Sequence, residues 1–252
     1  MDHAFCPGAR LLRHPTPESF PCPNCGAEVE IWTDEFKRAC PKCRKMVLRP
    51  GGMSCLDWCR QAKECIGEAT YESFTASRCL GLKRQLLEAL EEHFAPEGRH
   101  VEHAMAVLAF AEELMRAEAA DWHIVVPAAL LHDMGVKPAL EKYGSTDAPY
   151  QEREGPPLAR AVLLRLGLQL ADIDEVCDIV GHHHSPRPEE TANFRVVYDA
   201  DGLVNLAPIA STLTPEELRQ RIRDLFLTAA GRRKAEELYL RPARLAESPK
   251  SS

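Results

Sequence analysis

The stretch that decides the fold is Val125-Val-Pro-Ala-Ala-Leu-Leu-His-Asp-Met-Gly135, in which an apolar run ends on a histidine and an aspartate. The run Trp122–Leu131 predicts a short buried helix that stops near Gly135 and Pro138. Adjacent residues on a helix diverge by about 100°, but at a helix end His132 and Asp133 can both reach one ion. The stretch therefore marks a candidate metal-binding position.

Apolar residues recur at helical spacing on both sides of this stretch and predict a mainly α fold. The polar segment Tyr143–Gly155 predicts a loop, and Pro156 and Pro157 suit the first turn of the next helix. No alternating strand pattern follows residue 70, so we expect an all-helical bundle. Its other helices should contain Leu82–Leu90, Arg99–Ala119, Ile173–Val180 and Phe194–Leu206, with a further one starting at Thr214-Pro-Glu-Glu.

Three of these helices place metal-ligand residue types where apolar residues belong. His103 continues the stripe of Val107, Asp201 lies within the stripe of its own helix, and His183 or His184 follows another apolar stripe inward. Burying a carboxylate among aliphatic side chains costs several kcal/mol unless it is paired or bound to a cation. A shared divalent cation explains all of them at once. Such mixed nitrogen and oxygen ligation suits Mn, Fe, Co, Ni or Zn better than Mg alone.

His103, then His132-Asp133, then Asp201 resembles the H…HD…D signature of the HD phosphohydrolase superfamily, in order and in helical context. The resemblance covers roughly residues 95–210 and includes the local sequences Arg99-His-Val-Glu-His103, Ala129-Leu-Leu-His-Asp-Met-Gly135 and Asp199-Ala-Asp201-Gly-Leu. It implies an HD-type helical bundle whose metal is held by His103, His132, Asp133 and Asp201. Asp201 stands where the family motif has its ligand, and the helical stripe selects it over Asp199 independently.

The resemblance also implies metal-assisted hydrolysis of a phosphate ester, with nucleotides among the candidate substrates. Asp133 lies beside the ion and can take a proton from the attacking water. His183, and after it His182, is the candidate for contact with the phosphate or a second metal. Cations that can neutralise charge on the phosphate are Lys137 and Arg99, each equally readable as a solvated surface charge. Glu152, Arg153 and Glu154 are either a solvated loop or a substrate rim.

A second function is compatible with the same residues. The HD-like site can belong to a non-catalytic protein that senses a nucleotide or a metal, with the N-terminal zinc ribbon contacting a partner or nucleic acid. The complete H…HD…D set favours the enzyme, because degenerate sites usually lack a ligand. The chain lacks the His-His-Glu and Gly-Tyr-Pro motifs of HD enzymes that act on cyclic dinucleotides. The sequence therefore disfavours that substrate and identifies no other.

Eight of the ten cysteines lie between Cys6 and Cys65, which sets residues 1–68 apart from a helical domain at 69–252 with its core at about 95–210. Cys22-Pro-Asn-Cys25 and Cys40-Pro-Lys-Cys43 have the spacing of a four-thiolate zinc site. The segment between them contains the alternating Glu28–Trp32, typical of a short strand. This part of the chain resembles a zinc ribbon, in which the zinc has a structural role.

Four other cysteines in this segment, Cys6, Cys55, Cys59 and Cys65, form a second candidate site. Such a set can hold another zinc or an iron–sulfur cluster. The alternative is partly buried free thiols, and the sequence does not choose between the two.

The formal net charge of −7 disfavours non-specific binding to nucleic acid. A modest basic cluster between Lys37 and Arg49 fits docking of the ribbon to the HD domain or to a partner better than sequence-specific binding of nucleic acid. No apolar run approaches the roughly 20 residues that span a bilayer, and the N-terminus lacks a signal pattern. Clustered thiols also fit a reducing compartment, so we expect a cytoplasmic protein. The resemblance to HD phosphohydrolases implies that its substrate is a phosphorylated small molecule.

Overall fold

The computed structural model describes residues 15–33, 35, 37–48, 63, 64 and 67–240. The chain divides into two compact units, Met1–Arg78 and Cys79–Ser252. The domain boundary drawn after residue 68 stays a prediction. None of the helices in the described part of the chain combines the length and the apolar character that a bilayer crossing demands.

The first unit contains two small antiparallel hairpins. Strands β1 (Pro17–Pro21) and β2 (Glu28–Trp32) form the first hairpin, and β3 (Lys37–Ala39) and β4 (Met46–Leu48) form the second. Alternation in Glu28–Trp32 had predicted β2, and it buries Val29 and Ile31 as that pattern requires. Strands β3 and β4 have three residues each and are too short for an alternating pattern to reveal them, and β1 was not predicted from the sequence.

The second unit is built from helices, as the periodicity predicted. In chain order the helices are α1 (Glu68–Phe94), α2 (Arg99–Glu118), α3 (Trp122–Leu131), α4 (Val136–Tyr143), α5 (Ala148–Arg165), α6 (Leu170–Val180), α7 (Ala192–Ala210), α8 (Pro215–Leu225) and α9 (Ala229–Tyr239). A 3-10 turn, His132–Gly135, joins α3 to α4. The first residues of α1 belong to the first compact unit.

Helix α3 lies at the centre of the helical unit. Its residues Ile124–Leu131 are all buried, and the helix packs against α2, α6 and α7. Asp121 begins the helix by accepting a hydrogen bond from the His123 backbone N–H at 2.9 Å. Because α3 is buried all round, the 3-10 turn at its end is held inside the bundle with His132 and Asp133 in fixed positions.

The predicted loop Tyr143–Gly155 is wrong over most of its length. Helix α5 begins at Ala148, so Pro156 and Pro157 lie inside the helix and not in its first turn. Polar composition suggested a loop, but α5 packs along the 3-10 turn and α6, and this packing outweighs the local breakers. The consequence is that Glu152, Arg153 and Glu154 are helical residues.

Two glycines allow α5 to lie against the turn that follows the HD pair. A Cβ built on Gly135 would lie 2.1 Å from the backbone oxygen of Gln151. A Cβ on Gly155 would lie 2.8 Å from the Val180 side chain. The close approach of backbone to backbone at Gly135 leaves no room for any side chain, and it fixes α5 beside His132 and Asp133.

Helices α8 and α9 close the unit after α7. Thr214 and Glu217 form a reciprocal capping box at the start of α8, as the Thr-Pro-Glu-Glu sequence suggested. Helix α9 begins at Thr228, whose hydroxyl accepts from the backbone N–H of Gly231 at 2.8 Å. This helix start rests on Asp199 of α7, which is fully buried.

Candidate metal centre

Four side chains from three parts of the bundle converge at the end of α3. The Nε2 atom of His103 lies 3.3 Å from His132 Nε2 and 3.0 Å from Asp201 Oδ1. Asp133 Oδ2 lies 3.5 Å from His132 Nε2 and 3.7 Å from His103 Nε2. The ligand atoms of His103, His132 and Asp133 can all face one ion. The structure thus brings together the four residues that the sequence signature selected.

The tautomer of His132 is set by its backbone neighbour. Its Nδ1 lies 2.9 Å from the Ala129 carbonyl oxygen, which can only accept, so Nδ1 donates. In the neutral imidazole the Nε2 lone pair then faces His103 and Asp201. A histidine that donates through one nitrogen and presents the other is the usual arrangement of a metal ligand.

His183 presents the same arrangement from the other side of Asp133. Its Nδ1 donates to the Val180 carbonyl at 2.8 Å, and its Nε2 is buried without any hydrogen-bond partner. The Nε2 atom lies 3.7 Å from Asp133 Oδ1. Because an unpaired buried acceptor is costly, this orphaned nitrogen fits a cation better than it fits an empty interior.

His184 joins Asp133 and His183 in a second group whose ligand atoms lie within 4.8 Å of one another. Sequence reasoning named His184 only as an alternative to His183. Asp133 therefore contributes to two groups, one with His103 and His132 and one with His183 and His184. A carboxylate with an oxygen on each side suits one cation or two neighbouring ones.

His182, the second choice for a phosphate contact, has other partners. Its Nε2 lies 3.0 Å from Glu190 Oε1, its Nδ1 contacts the Asp178 carbonyl, and its ring stacks on Phe194. Both nitrogens are thus occupied within the fold. The structure places His183 and not His182 beside Asp133.

Opposite charges shift the acidity of the central groups. Burial works against ionisation of Asp133, yet the nearby imidazoles of His132, His183 and His103 hold its pKa well below the usual range. Burial likewise opposes ionisation of Asp201, and the His103 hydrogen bond lowers the pKa of that carboxyl. The same hydrogen bond raises the pKa of His103. Two ionised carboxylates in a buried cluster create the negative potential that a divalent cation neutralises.

The two aspartates of the Asp199-Ala-Asp201 sequence point to different places. Asp201 faces the histidines, and Asn205 Nδ2 donates to its Oδ2 at 2.8 Å. Asp199 accepts from the backbone N–H of Leu227 at 2.7 Å, and from the backbone N–H and hydroxyl of Thr228 at 2.8 and 2.6 Å. Asp199 is therefore an anchor for the start of α9, in agreement with its position off the stripe.

The remaining candidates have partners elsewhere. Lys137 Nζ donates to the His93 carbonyl at 3.0 Å, and Arg99 contacts His100 and Glu97. Glu154 pairs with Lys142 and Tyr143. Glu152 is different, because its carboxylate accepts from the His184 backbone N–H at 3.0 Å and from the Ser185 hydroxyl at 3.2 Å. Among Glu152, Arg153 and Glu154, Glu152 is the residue that contacts the histidine turn within the described part of the chain.

Four cysteines of the first unit, Cys22, Cys25, Cys40 and Cys43, also converge. Each Cys-Pro-x-Cys turn forms the tip of one hairpin, and the two tips have matching backbone hydrogen bonds, Gly26 N–H to Cys22 O and Arg44 N–H to Cys40 O. Gly26 and Arg44 occupy the same left-handed position, with φ of 69° and 62°. The Sγ atoms of Cys22 and Cys43 are 3.6 Å apart, as are those of Cys25 and Cys40.

These sulfur distances fit tetrahedral ligation. With Zn–S bonds of about 2.3 Å, the sulfurs of a tetrahedral site are roughly 3.8 Å apart. The backbone N–H of Lys45 lowers the pKa of Cys43 to about 6, and the N–H of Cys43 lowers the pKa of Cys40. Both effects favour the thiolate that metal binding requires. The second candidate set, Cys6, Cys55, Cys59 and Cys65, lies outside the described residues.

A buried cluster of His and Asp side chains inside a helical bundle is typical of metal-binding α domains. Comparison with known protein families identifies which of these domains the chain resembles. Residues 101–206 match the HD domain family model, and this range contains all four converging residues. This part of the chain is therefore similar to HD domains. The helical core at about residues 95–210 stays a prediction.

One solved structure is similar to this chain. It is a predicted HD superfamily hydrolase from an uncultured Thermotogales bacterium, with 27% sequence identity and a TM-score of 0.47. The similarity covers 62% of this chain and 84% of the other. A comparison with curated proteins gives no significant match.

A cavity of about 160 Å³ opens beside the metal centre. It is lined in part by His183, His184 and Asp201, and its other wall includes Tyr198, Asn205 and Arg221. Sequence reasoning missed these last three residues. Tyr198 and Asn205 lie three residues before and four after Asp201, so helical spacing alone could have nominated them. Arg221 comes from a different helix, and no local signal points to it.

Proposed function

We propose that this protein is a metal-dependent phosphohydrolase that cleaves a phosphate ester, with nucleotides among the candidate substrates. Water is consumed, the phosphorus–oxygen ester bond breaks, and the products are an alcohol and inorganic phosphate or a phosphomonoester. The observation that carries the proposal is the convergence of His103, His132, Asp133 and Asp201 within the range that matches the HD domain family model.

In this proposal the four converging residues hold the ion, and His183 with His184 extends the site beyond Asp133. A bound divalent cation lowers the pKa of a coordinated water and polarises the phosphoryl oxygen. The chain's own groups fix the geometry around it. The Ala129 carbonyl orients the His132 ring, and Asn205 holds Oδ2 of Asp201 so that Oδ1 faces the histidines. Asp133 is the carboxylate placed to accept a proton from the attacking water.

The test is a screen of nucleotides and other phosphate esters with added Mn, Co, Ni, Mg or Zn. Hydrolysis by the native protein is expected to disappear in His132→Ala and in Asp133→Ala, with little change in helix content by circular dichroism. His123→Ala is the matched control, because His123 lies on helix α3 as well, and within the described part of the chain its ring contacts Asp121 and Trp122. Full activity in both site variants would remove this centre from consideration. Binding of nucleotide or metal without turnover would favour the sensor.

We further infer that Cys22, Cys25, Cys40 and Cys43 hold a structural zinc in a ribbon-like unit. The support is the pairing of knuckles at 3.6 Å between sulfurs and the thiolate-favouring hydrogen bonds. Reduced thiols persist in a reducing compartment, which supports the predicted cytoplasmic location. Metal analysis of anaerobically purified protein should give one zinc for this cluster. Iron that remains in the His132→Ala variant would point to the second cysteine set.

A further inference from the structure

The cavity beside the metal centre is bordered by a positively charged side chain, Arg221. Arg221 lies in its wall, and within the described chain this guanidinium makes no hydrogen bond or ion pair. The neighbouring arginines of α8 differ. Arg219 pairs with Glu216, and Arg223 bonds to Gln220 and approaches Glu216. An arginine left without a partner in the wall of a cavity is available to an anion from solution.

The position of Arg221 separates it from the metal ligands by about one helical turn. Helices α7 and α8 follow each other in the chain, and the Leu225 side chain of α8 lies next to Gly202 of α7, the residue after Asp201. Arg221 lies one turn of α8 before Leu225, or about 6 Å along the helix axis at 1.5 Å per residue. An anion bound to Arg221 would therefore occupy a different position from a phosphate bound at the metal centre.

The space between the two is small and partly apolar. Leu206, Ile209 and Leu225 line the cavity, and the half-buried ring of Tyr198 forms another part of its wall. Burial raises the pKa of Tyr198, and the charge of Arg221, which lines the same cavity, acts in the opposite direction. A volume near 160 Å³ is close to that of cavities that accept a single benzene ring.

The charges of the metal centre do not require Arg221 for their neutralisation. Asp133 and Asp201 together carry two negative charges, which one divalent ion neutralises, so the positive charge of Arg221 remains for the substrate. A guanidinium fork binds carboxylate or phosphate oxygens in pairs. The opposite end of the cavity from the ion thus offers a site for a second negative group.

Resting on the proposed phosphohydrolase activity, we propose that Arg221 is a specificity-determining residue for the leaving group. The substrate class is a phosphate ester whose leaving group is one ring in size and carries a second anionic group. The scissile phosphate lies at the His and Asp centre, the ring occupies the cavity beside Tyr198, and the second anion binds Arg221. A carboxylate and a second phosphate share this chemistry, and the experiment separates them.

The experiment uses three esters on the same ring: phenyl phosphate, 4-carboxyphenyl phosphate and 1,4-phenylene bisphosphate. For one of the two esters that carry a second anionic group, the full-length metal-loaded protein should have a KM about tenfold below its KM for phenyl phosphate. This factor corresponds to the free energy of one charge-assisted hydrogen bond. Arg221→Gln should erase this difference by raising the KM of the ester with the second anionic group to that of phenyl phosphate. Arg221→Lys should retain part of it, and Arg223→Gln, the matched control, should retain all of it.

A binding arm gives a readout that does not need turnover. Phenylphosphonate and 4-carboxyphenylphosphonate are titrated calorimetrically into the Mn-loaded protein and into its Arg221→Gln variant. Tighter binding of the carboxylated compound by the native protein alone supports the proposal. Equal affinities for both compounds, or a preference that survives in Arg221→Gln, overturn it. If the protein hydrolyses phenyl phosphate but Arg221 has no effect, the phosphohydrolase proposal stands and the Arg221 proposal fails. If the protein binds selectively through Arg221 without turnover, only the phosphohydrolase proposal fails.

Discussion

Glu152 and His184 are joined by a hydrogen bond of 3.0 Å from the His184 backbone N–H to the Glu152 carboxylate. The other carboxylate oxygen accepts from the Ser185 hydroxyl. Helix α5 thereby holds the turn that carries both His183 and His184. Neither histidine is fixed by this contact through its ring, so both rings stay free to face Asp133.

Glu152 is therefore expected to act as a positioning residue for the histidine turn. Glu152→Ala should lower kcat and the affinity for metal by about tenfold, since it removes a charged acceptor from two donors. Glu152→Gln should recover most of the loss, because its amide oxygen can still accept from His184. Glu154→Ala is the control on the same helix. Metal titration by calorimetry provides the measurement, and equal affinities in all three variants would contradict the assignment.

Asp199 and Asp201 should separate stability from metal binding. Asp199→Ala leaves three buried donors without their acceptor and is expected to cost about 3 kcal/mol or more, with a clear fall in Tm. Asp201→Ala should abolish activity and reduce bound metal while changing the Tm of the metal-free protein little. Thermal unfolding and metal analysis on both variants check this. Loss of metal in folded Asp199→Ala alone would reverse the two roles.

Gly135 should tolerate no side chain. Gly135→Ala puts a Cβ against the Gln151 carbonyl, so α5 must move, and we expect a loss of about 1–3 kcal/mol together with reduced activity. Gly81→Ala is the matched control, because a Cβ at Gly81 in α1 meets nothing within 4 Å. That control should gain up to about 1 kcal/mol from helix propensity. Denaturant unfolding of the two variants measures the contrast.

The capping box of α8 should give the unit a pH-dependent contribution in mild acid. Hydrogen bonds from the Thr214 hydroxyl and backbone lower the pKa of Glu217. A carboxyl with a lowered folded-state pKa stabilises the fold fully above its unfolded pKa of about 4.3 and loses that effect as pH falls through the folded value.

Thermal unfolding of native protein and Glu217→Gln between pH 6 and pH 3 tests this expectation. The native protein should have the higher Tm at pH 6, and the two curves should converge in acid. A constant difference across the range would show that Glu217 acts without its charge.

The sequence predicted the metal centre better than it predicted the surroundings of the centre. His103 and Asp201 could be found because each continues an apolar helical stripe, and His132 and Asp133 because they end an apolar run. Both patterns are local in the sequence. The start of α5 could not be found, because packing of Gly155 and Gly135 against neighbouring backbone overrides two prolines and a polar composition. Glu152 and Arg221 owe their positions to contacts between helices, which spacing along one helix does not encode.

The seat of α9 on Asp199 has a consequence for how related chains can exchange parts. A Cβ at Gly231 would lie 2.2 Å from Asp199 Oδ2, so the helix start and the carboxylate fit only as a pair. Residues 211–240 follow the matched HD range, yet they carry both this fit and Arg221. If the proposal for Arg221 is right, replacing residues 211–240 with the same segment of a related chain should change the leaving-group preference and leave the four converging residues unchanged. Such a replacement requires a carboxylate at position 199 of the recipient and a glycine at position 231 of the inserted segment.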